Sequence, residues 1–473
     1  MLPAATPEEH GVPSSALMAF LDAVEERIDA LHSVVLVRHG HTLARGWWAP
    51  YRADRPHALF SVSKSFTATA VGLAVEDGLL SVDDLVAPLF PDALPARVDD
   101  HLAALRVRHL LTMTAGHATD TTDELWREPD GDWARAFLAQ PFTHEPGTTF
   151  VYDTPATYML SAIVQRLTGE TVLDYLRPRL FEPLGITEPA WETCPRGVTV
   201  GGWGLSLRTD EVARFGELYL RDGVWRGRQL VPASWLRAAT ASQVATGALD
   251  TVDWQQGYGY QFWRSRNGYR ADGAFGQFCL VLPEHDAVVA ITSGTPDTQA
   301  ALGLVWEHLL PAVADGPLPA DDSAVKALAG RLDGLRLPTV AGRASTPLAP
   351  RVSGRQYHVD GESGTITFSA EPGGAARLVL KDERGAHDLA IGYGEWLPGT
   401  ATVATGQTVA VATSGAWTAD DTYVAHGYAV ETAYRRTLTC TFDGDRLTVE
   451  SRDNVSFGPT EHPPIIATCR SQP

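Results

Sequence analysis

Strand-like segments open and close the stretch up to about residue 312 of this chain, and helix-like segments fill its middle. Few folds accept that order. Residues 14–31 have a helical period, and "SVVLVRHGHTLARGWWAP" from Ser33 then reads as two short strands joined at His39-Gly40-His41. Helical spacing, punctuated by Gly and Pro, dominates from about Phe60 to Glu192. Strands return in "QGYGYQFWRSRNGYRADGAFGQFCLVLPEHDAVVAITSG", where Asn267-Gly268 is a two-residue hairpin signal and Pro283–Asp286 a second turn. A last helix follows in "DTQAALGLVWEHLLPAV". Segments that close back on themselves through tight turns pair antiparallel, so the expected core is an antiparallel sheet completed by both ends of the domain and flanked by helices.

Past residue 345 the pattern changes to short alternating strands with Gly and Asp turns, as in "RTLTCTFDGDRLTVESRD". That is an all-β barrel or sandwich. At 473 residues the chain exceeds one ordinary core. The division expected is a mixed α/β (α+β) domain over 1–318, a linker with one short helix over 319–345, and the all-β domain, of no assigned role, over 346–473.

A net charge of −19 argues against nucleic acid, whose phosphates would be repelled. No run of about 18 apolar residues is present, so no membrane partner is expected. The first residues, "MLPAATPEEHGVPSS", bring acids where a secretion signal needs a basic start, which points to the cytoplasm. Cys194, Cys279, Cys440 and Cys469 lack metal-site spacing, and His39-Gly40-His41 reads as a turn with solvated imidazoles. No metal or other cofactor is expected. Cys440 shares a strand face with Leu438 and Phe442 and is expected to be a buried thiol.

Only three of the 38 basic residues are lysine, and one of them, Lys64, stands in "SVSKSFTATAVGLAVEDG". Arg keeps its proton in a protein, whereas Lys surrenders one when its surroundings depress its pKa. Ser61 and Lys64 are three residues apart, on one side of a helix, where hydroxyl and amine can meet. Phe66, Ala70 and Leu73 continue an apolar face, Val71 and Val75 a neighbouring one, and Gly78 fits the C-terminal cap. Free N–H groups at the helix start favour a serine anion and an uncharged amine. The spacing alone is weak: "DDSAVKALAG" repeats it at Ser323 and Lys326, in a polar helix with no apolar approach.

The first motif also has company in order: "LRVRHLLTMTAGHATD", "HEPGTTFVYDTPATYMLSAIVQRLTGE", "GGWGLSLRTDEVARFGELYLRDGVWRG" and "GYRADGAFGQFCLVLPEHDAVV". Together these resemble the serine β-lactamase and penicillin-recognising hydrolase superfamily, nearest its class C β-lactamases, 6-aminohexanoate-dimer hydrolases and related esterases. The resemblance spans roughly residues 5–312 and implies a β-lactamase-like sheet with a helical subdomain. It implies Ser61 as the acylated nucleophile, Lys64 as its base and Tyr152 as a proton relay, whose phenol a nearby cation would make more acidic. It also implies an oxyanion hole from the N–H groups of Ser61 and Ala274.

Two departures bear on substrate. The family's Y-x-N asparagine is Thr154, which before Pro155 reads mainly as a helix N-cap and only secondarily as a substrate contact. The family's K-T-G or H-x-G element is Ala271-Asp272-Gly273. The cation that would hold a carboxylate is missing, Asp272 would repel an anion if it faced the site, and Gly273 permits close approach of the strand. His117, Trp126 and Trp203 are candidate pocket residues by position, with packing as the alternative. The expected function is hydrolysis of a small ester or amide through an acyl-enzyme. A β-lactamase or cell-wall DD-peptidase is the alternative, and a non-catalytic binding protein on the same fold is the alternative of another class. Nothing in the sequence indicates an oligomeric state.

Overall fold

The computed structural model describes residues 2–383, 385–402 and 406–469. Its central sheet has six strands in the order His41–Trp47, Leu31–Arg38, Ala287–Ser293, Gln277–Leu282, Gly268–Gly273 and Trp263–Ser265, every neighbour antiparallel. The two ends of the domain meet in the middle, Val34 opposite Ile291 and Leu36 opposite Val289. Every residue of Leu31–Arg38 is buried. Period-two alternation sends Val35 and Val37 into the core under the helical subdomain, while Val34 and Leu36 enter the core behind the sheet. The hairpin expected at Asn267-Gly268 forms one residue earlier: Ser265 pairs with Gly268 across Arg266 and Asn267.

Residues 319–345 are not a free spacer. Helix Asp322–Asp333 lies on the first domain, with Leu328, Leu335 and Leu337 buried in the core behind the sheet and Arg331 paired to Asp22 and Glu25.

The second domain is a nearly closed barrel, one ten-stranded sheet whose end strands, Gly385–Ile391 and Leu397–Thr402, come together through Gly392 and Ser414–Gly415. Inward positions carry Tyr357, Phe368, Trp417, Tyr423 and Phe442, whose rings pack on one another, with Cys440 buried among them. Burial pushes the Cys440 thiol up to about 12.

The barrel is seated on the first domain. The Tyr51 hydroxyl donates to the Thr432 carbonyl (2.9 Å), the Ala58 N–H to that of Glu431 (2.8 Å), and Asn454 Nδ2 to that of Gly294 (2.7 Å). Ala412, Tyr428 and Val430 of the barrel share the core behind the first domain's sheet. Among the described residues no helix is long and apolar enough to cross a membrane, and no cluster of His, Cys, Asp or Glu is arranged to hold a metal.

Candidate active site

Helix Ser63–Glu76 runs through the middle of the first domain, buried from Ser63 to Ala74. Its apolar side chains face the core; Ser65, Thr67 and Thr69 satisfy themselves on the Gln261 carbonyl, the Gly201 carbonyl and the Tyr219 hydroxyl. Gly78, at φ +70°, ends it as expected. Ser61 sits just ahead of this helix, in the 3₁₀ turn Phe60–Val62. Phe60 has φ +48°, a left-handed conformation that costs a bulky residue about 1–3 kcal/mol. The turn is bolted by Ser63, whose hydroxyl donates to the Phe60 carbonyl (2.6 Å) and accepts the Leu205 N–H (3.1 Å).

Lys64 reaches back along the helix. Its Nζ lies 3.0 Å from Ser61 Oγ, 2.8 Å from the Gly202 carbonyl oxygen and 3.4 Å from Thr154 Oγ1, and 5.0 Å from the centre of the Tyr152 ring. The side chain is 1% exposed. Burial drives its pKa down to about 7, against the opposing pull of Asp120, Asp153 and Asp272. A neutral amine has two hydrogens and one lone pair. Gly202 and Thr154 can take the hydrogens, which leaves the lone pair for the Ser61 hydroxyl.

Tyr152 stacks on Trp263, ring centres 5.6 Å apart at 22°. Burial raises its pKa, with the neighbouring carboxylates Asp272 and Asp120 adding to the rise and a hydrogen bond with Ser61 opposing it. The expectation of a more acidic phenol is thereby reversed: desolvation outweighs the hydrogen bonds that favour the phenolate.

The helix after it starts at Thr154, so Asp153 occupies the N-cap place expected for Thr154. The Asp153 carboxylate instead accepts from His117 Nδ1 (2.7 Å) and from the Thr121 N–H and hydroxyl (2.8 and 2.9 Å). The N–H of Thr154 donates to Asp120 (2.8 Å), which frees its hydroxyl to face Lys64. His117 is 2% exposed, packed between Phe137 and Phe142. It is a brace for Asp153 under the site rather than a pocket wall. Trp203 follows the Gly202 carbonyl that holds Lys64, stacks on Trp133 and meets Trp126 edge-on, and Trp126 is 64% exposed.

On the opposite side, strand Gly268–Gly273 passes so close to the serine turn that a Cβ on Gly273 would lie 2.3 Å from the Leu59 carbonyl oxygen. Glycine is required there. Asp272 is not a bare anion: Arg270 Nε holds it at 2.7 Å, with the guanidinium 4.4 Å from the Trp254 ring. Burial raises the Asp272 pKa against the Arg270 charge. Ala271 is core, 1% exposed, its strand partner Cys279. The turn carrying Ala274 is fixed from beneath: Gln277 donates to the Ala274 carbonyl (3.0 Å), and Ser293 Oγ to those of Phe275 (2.7 Å) and Gly276 (3.0 Å).

Ser61, Lys64, Tyr152, Thr154 and Asp272 therefore come together, with Gly273 and Ala274 beside the serine turn. Sequence reasoning missed Ser63, Asp120 and Asp153, and it missed the carbonyl of Gly202. The doubled glycine in "GGWG" was the one available signal.

The β-lactamase family profile matches residues 21–310. This chain is similar to penicillin-binding protein 4 of Amycolatopsis lactamdurans, 29% identical over 381 residues, 72% of this chain and 91% of that protein. It is 27% identical to the 6-aminohexanoate-dimer hydrolase of Paenarthrobacter ureafaciens over 317 residues, 62% of this chain and 80% of the other. Among solved structures, SurE overlays it with a TM-score of 0.52 at 19% identity, over 96% of this chain and 98% of that one, a likeness of fold that takes in the barrel.

Proposed function

This chain belongs to the β-lactamase family of serine hydrolases, and we propose that it opens small ester or amide bonds through an acyl-enzyme on Ser61. The observation that carries the reading is the buried Lys64 amine, its pKa brought to about 7, within 3.0 Å of the Ser61 hydroxyl. At neutral pH half or more of such amines are uncharged and able to take the serine proton. Ser61 Oγ then adds to the carbonyl carbon, and its proton passes to Lys64. The N–H groups of Ser61 and Ala274 receive the developing oxyanion, each such donor lowering the barrier by about 3 kcal/mol. The bond to the leaving group breaks as that group takes the proton Lys64 received, relayed through the Tyr152 phenol, which leaves Lys64 neutral again. Water deacylates the serine by the reverse transfer, with Lys64 again as the base.

Charge around the site favours neutral or cationic substrates. Asp120 and Asp153 act on the amine with negative charge that Arg270 does not pair, and Ala271 provides no cation for a carboxylate. The net charge of −19 adds a slower encounter for anions. The test is a panel of penicillin, a neutral short-chain ester and an amino-acid ester with a free ammonium group, on wild type and Ser61→Ala at fixed ionic strength. A charge-assisted hydrogen bond contributes about 1.5–3 kcal/mol, so penicillin is expected to lag the neutral ester in kcat/KM by about tenfold or more. Equal rates for penicillin and the neutral ester would overturn the charge reading.

A further inference from the structure

Two aromatic rings flank the serine turn, and the barrel adds two more. Phe60 immediately precedes Ser61 and Phe275 immediately follows Ala274; both have positive φ, and their rings meet edge to face at 5.3 Å. From the barrel, Tyr434 lies 6.0 Å from Phe60 and 5.9 Å from Phe275, and Phe457 lies 6.0 Å and 4.8 Å from the same two rings. Phe457 is 76% exposed. A phenyl ring left in water forgoes about 2 kcal/mol of burial, so its position beside a reactive serine calls for an occupant.

Nor is this ring on a loose loop. Asn454, three residues before it, is tied to Gly294 and to the Ala433 carbonyl (3.0 Å), and its Oδ1 accepts the Arg435 N–H (2.7 Å). The loop carrying Tyr434 is pinned by the Ala58 and Tyr51 contacts, and Ala58 is three residues from the nucleophile. The barrel is thus fastened where it delivers rings to the site.

We propose that the barrel completes the acyl-binding site, and that Phe60, Phe275, Tyr434 and Phe457 seat an apolar acyl group of the substrate. The proposal rests on Ser61 being the nucleophile. The leaving group must sit where Lys64 and Tyr152 can protonate it, among Thr154, Gly202 and Trp263. Phe60 and Phe275 are themselves the neighbours of the two oxyanion donors, and Tyr434 and Phe457 close on their rings, so the proposal gives this cluster to the other substituent of the carbonyl carbon. An apolar chain or aryl group there would cover the exposed face of Phe457, and the acid-rich proton-handling side would keep its water for deacylation.

The experiment compares wild type, Phe457→Ala, Phe457→Leu and Ser61→Ala, all as the full chain, on p-nitrophenyl acetate, p-nitrophenyl octanoate and 2-naphthyl acetate. Loss of one apolar wall corresponds to one or two buried methylenes, so Phe457→Ala should cut kcat/KM for the octanoate about tenfold, mainly through KM. The acetate should fall by less than about threefold, and Phe457→Leu should recover most of the octanoate rate. Equal losses on acetate and octanoate, no loss on either, or the largest loss on the naphthyl leaving group would each overturn the acyl seat. Turnover surviving in Ser61→Ala would remove the acyl-enzyme itself, an outcome separable from the other three.

Discussion

At Ser61 and again at Ser323 the chain sets a serine three residues ahead of a lysine, once in the interior and once on the surface. Ser323 and Lys326 are exposed on the first turns of a helix whose opening N–H at Ala324 is already taken by Asp321. Lys64 is buried, its amine held by the Gly202 carbonyl and turned toward Ser61. Spacing can bring a hydroxyl to an amine in either place. What sets one pair apart is desolvation, which removes water's preference for the ammonium form, together with the Gly202 and Thr154 oxygens that can take the amine's hydrogens. The motif supplies contact; the fold supplies an amine that can lose its charge near neutral pH.

The sharpest way to break the comparison is to remove each serine in turn. Ser61→Ala should lower ester turnover by at least about a thousandfold, while Ser323→Ala should match wild type. Intact-mass analysis after treatment with a serine-reactive phosphonate should show a single adduct that is lost only in Ser61→Ala; an adduct on Ser323 would end the distinction. Next in size is the exchange of each lysine for arginine. Lys64→Arg keeps the charge but cannot take a proton, so burst kinetics with a p-nitrophenyl ester should find acylation slowed about a hundredfold or more, nearly to the level of Lys64→Ala. Lys326→Arg should leave the burst intact. Acylation at the wild-type rate in Lys64→Arg would show that the amine acts as a charge and not as a base.

The smallest effect sharpens rather than breaks the contrast. With Lys64 as the proposed base its neutral form is the active one, so kcat/KM for a neutral ester should level off about one unit above pH 7 and fall on acidification through about 7. The slope should approach about tenfold per pH unit. A profile flat from pH 5 to about 9 would mean that no group with such a pKa serves as base.

How far all this could be read in the sequence depended on distance along the chain. Ser61, Lys64 and the Gly78 cap lie within one helix and its entry turn, so period and cap chemistry suffice. Tyr152 and Gly273 came from the order of several motifs. What stayed hidden was made by chain segments arriving from far away: the Gly202 carbonyl, whose role carries no side-chain signature, Asp120 on the N–H of Thr154, and Asp153 turned to His117. Thr154 was misplaced by one residue because Asp and Thr are both good caps and only the competing hydrogen bonds decide between them. The Arg270–Asp272 pair lies along a single strand, yet its neutralising effect depends on burial, which alternation cannot report. The barrel was legible as an architecture; its rings at the site were not, since they reach Phe60 across almost the whole length of the chain.

The pairing of Leu31–Arg38 with Ala287–Ser293 has a consequence in time. A chain made from its N-terminus exposes Ser61 and Lys64 early, while the strand that ends at Gly273 is still to be made. At about 5–20 residues per second the interval is roughly 10–40 s. Burial is what lowers the Lys64 pKa, and that burial needs residues made after it. The surroundings that bury Lys64, the Gly202 carbonyl and the strand ending at Gly273 among them, are complete only when the sheet closes. A contact order this long slows folding, so the site is among the last parts of the domain to be finished.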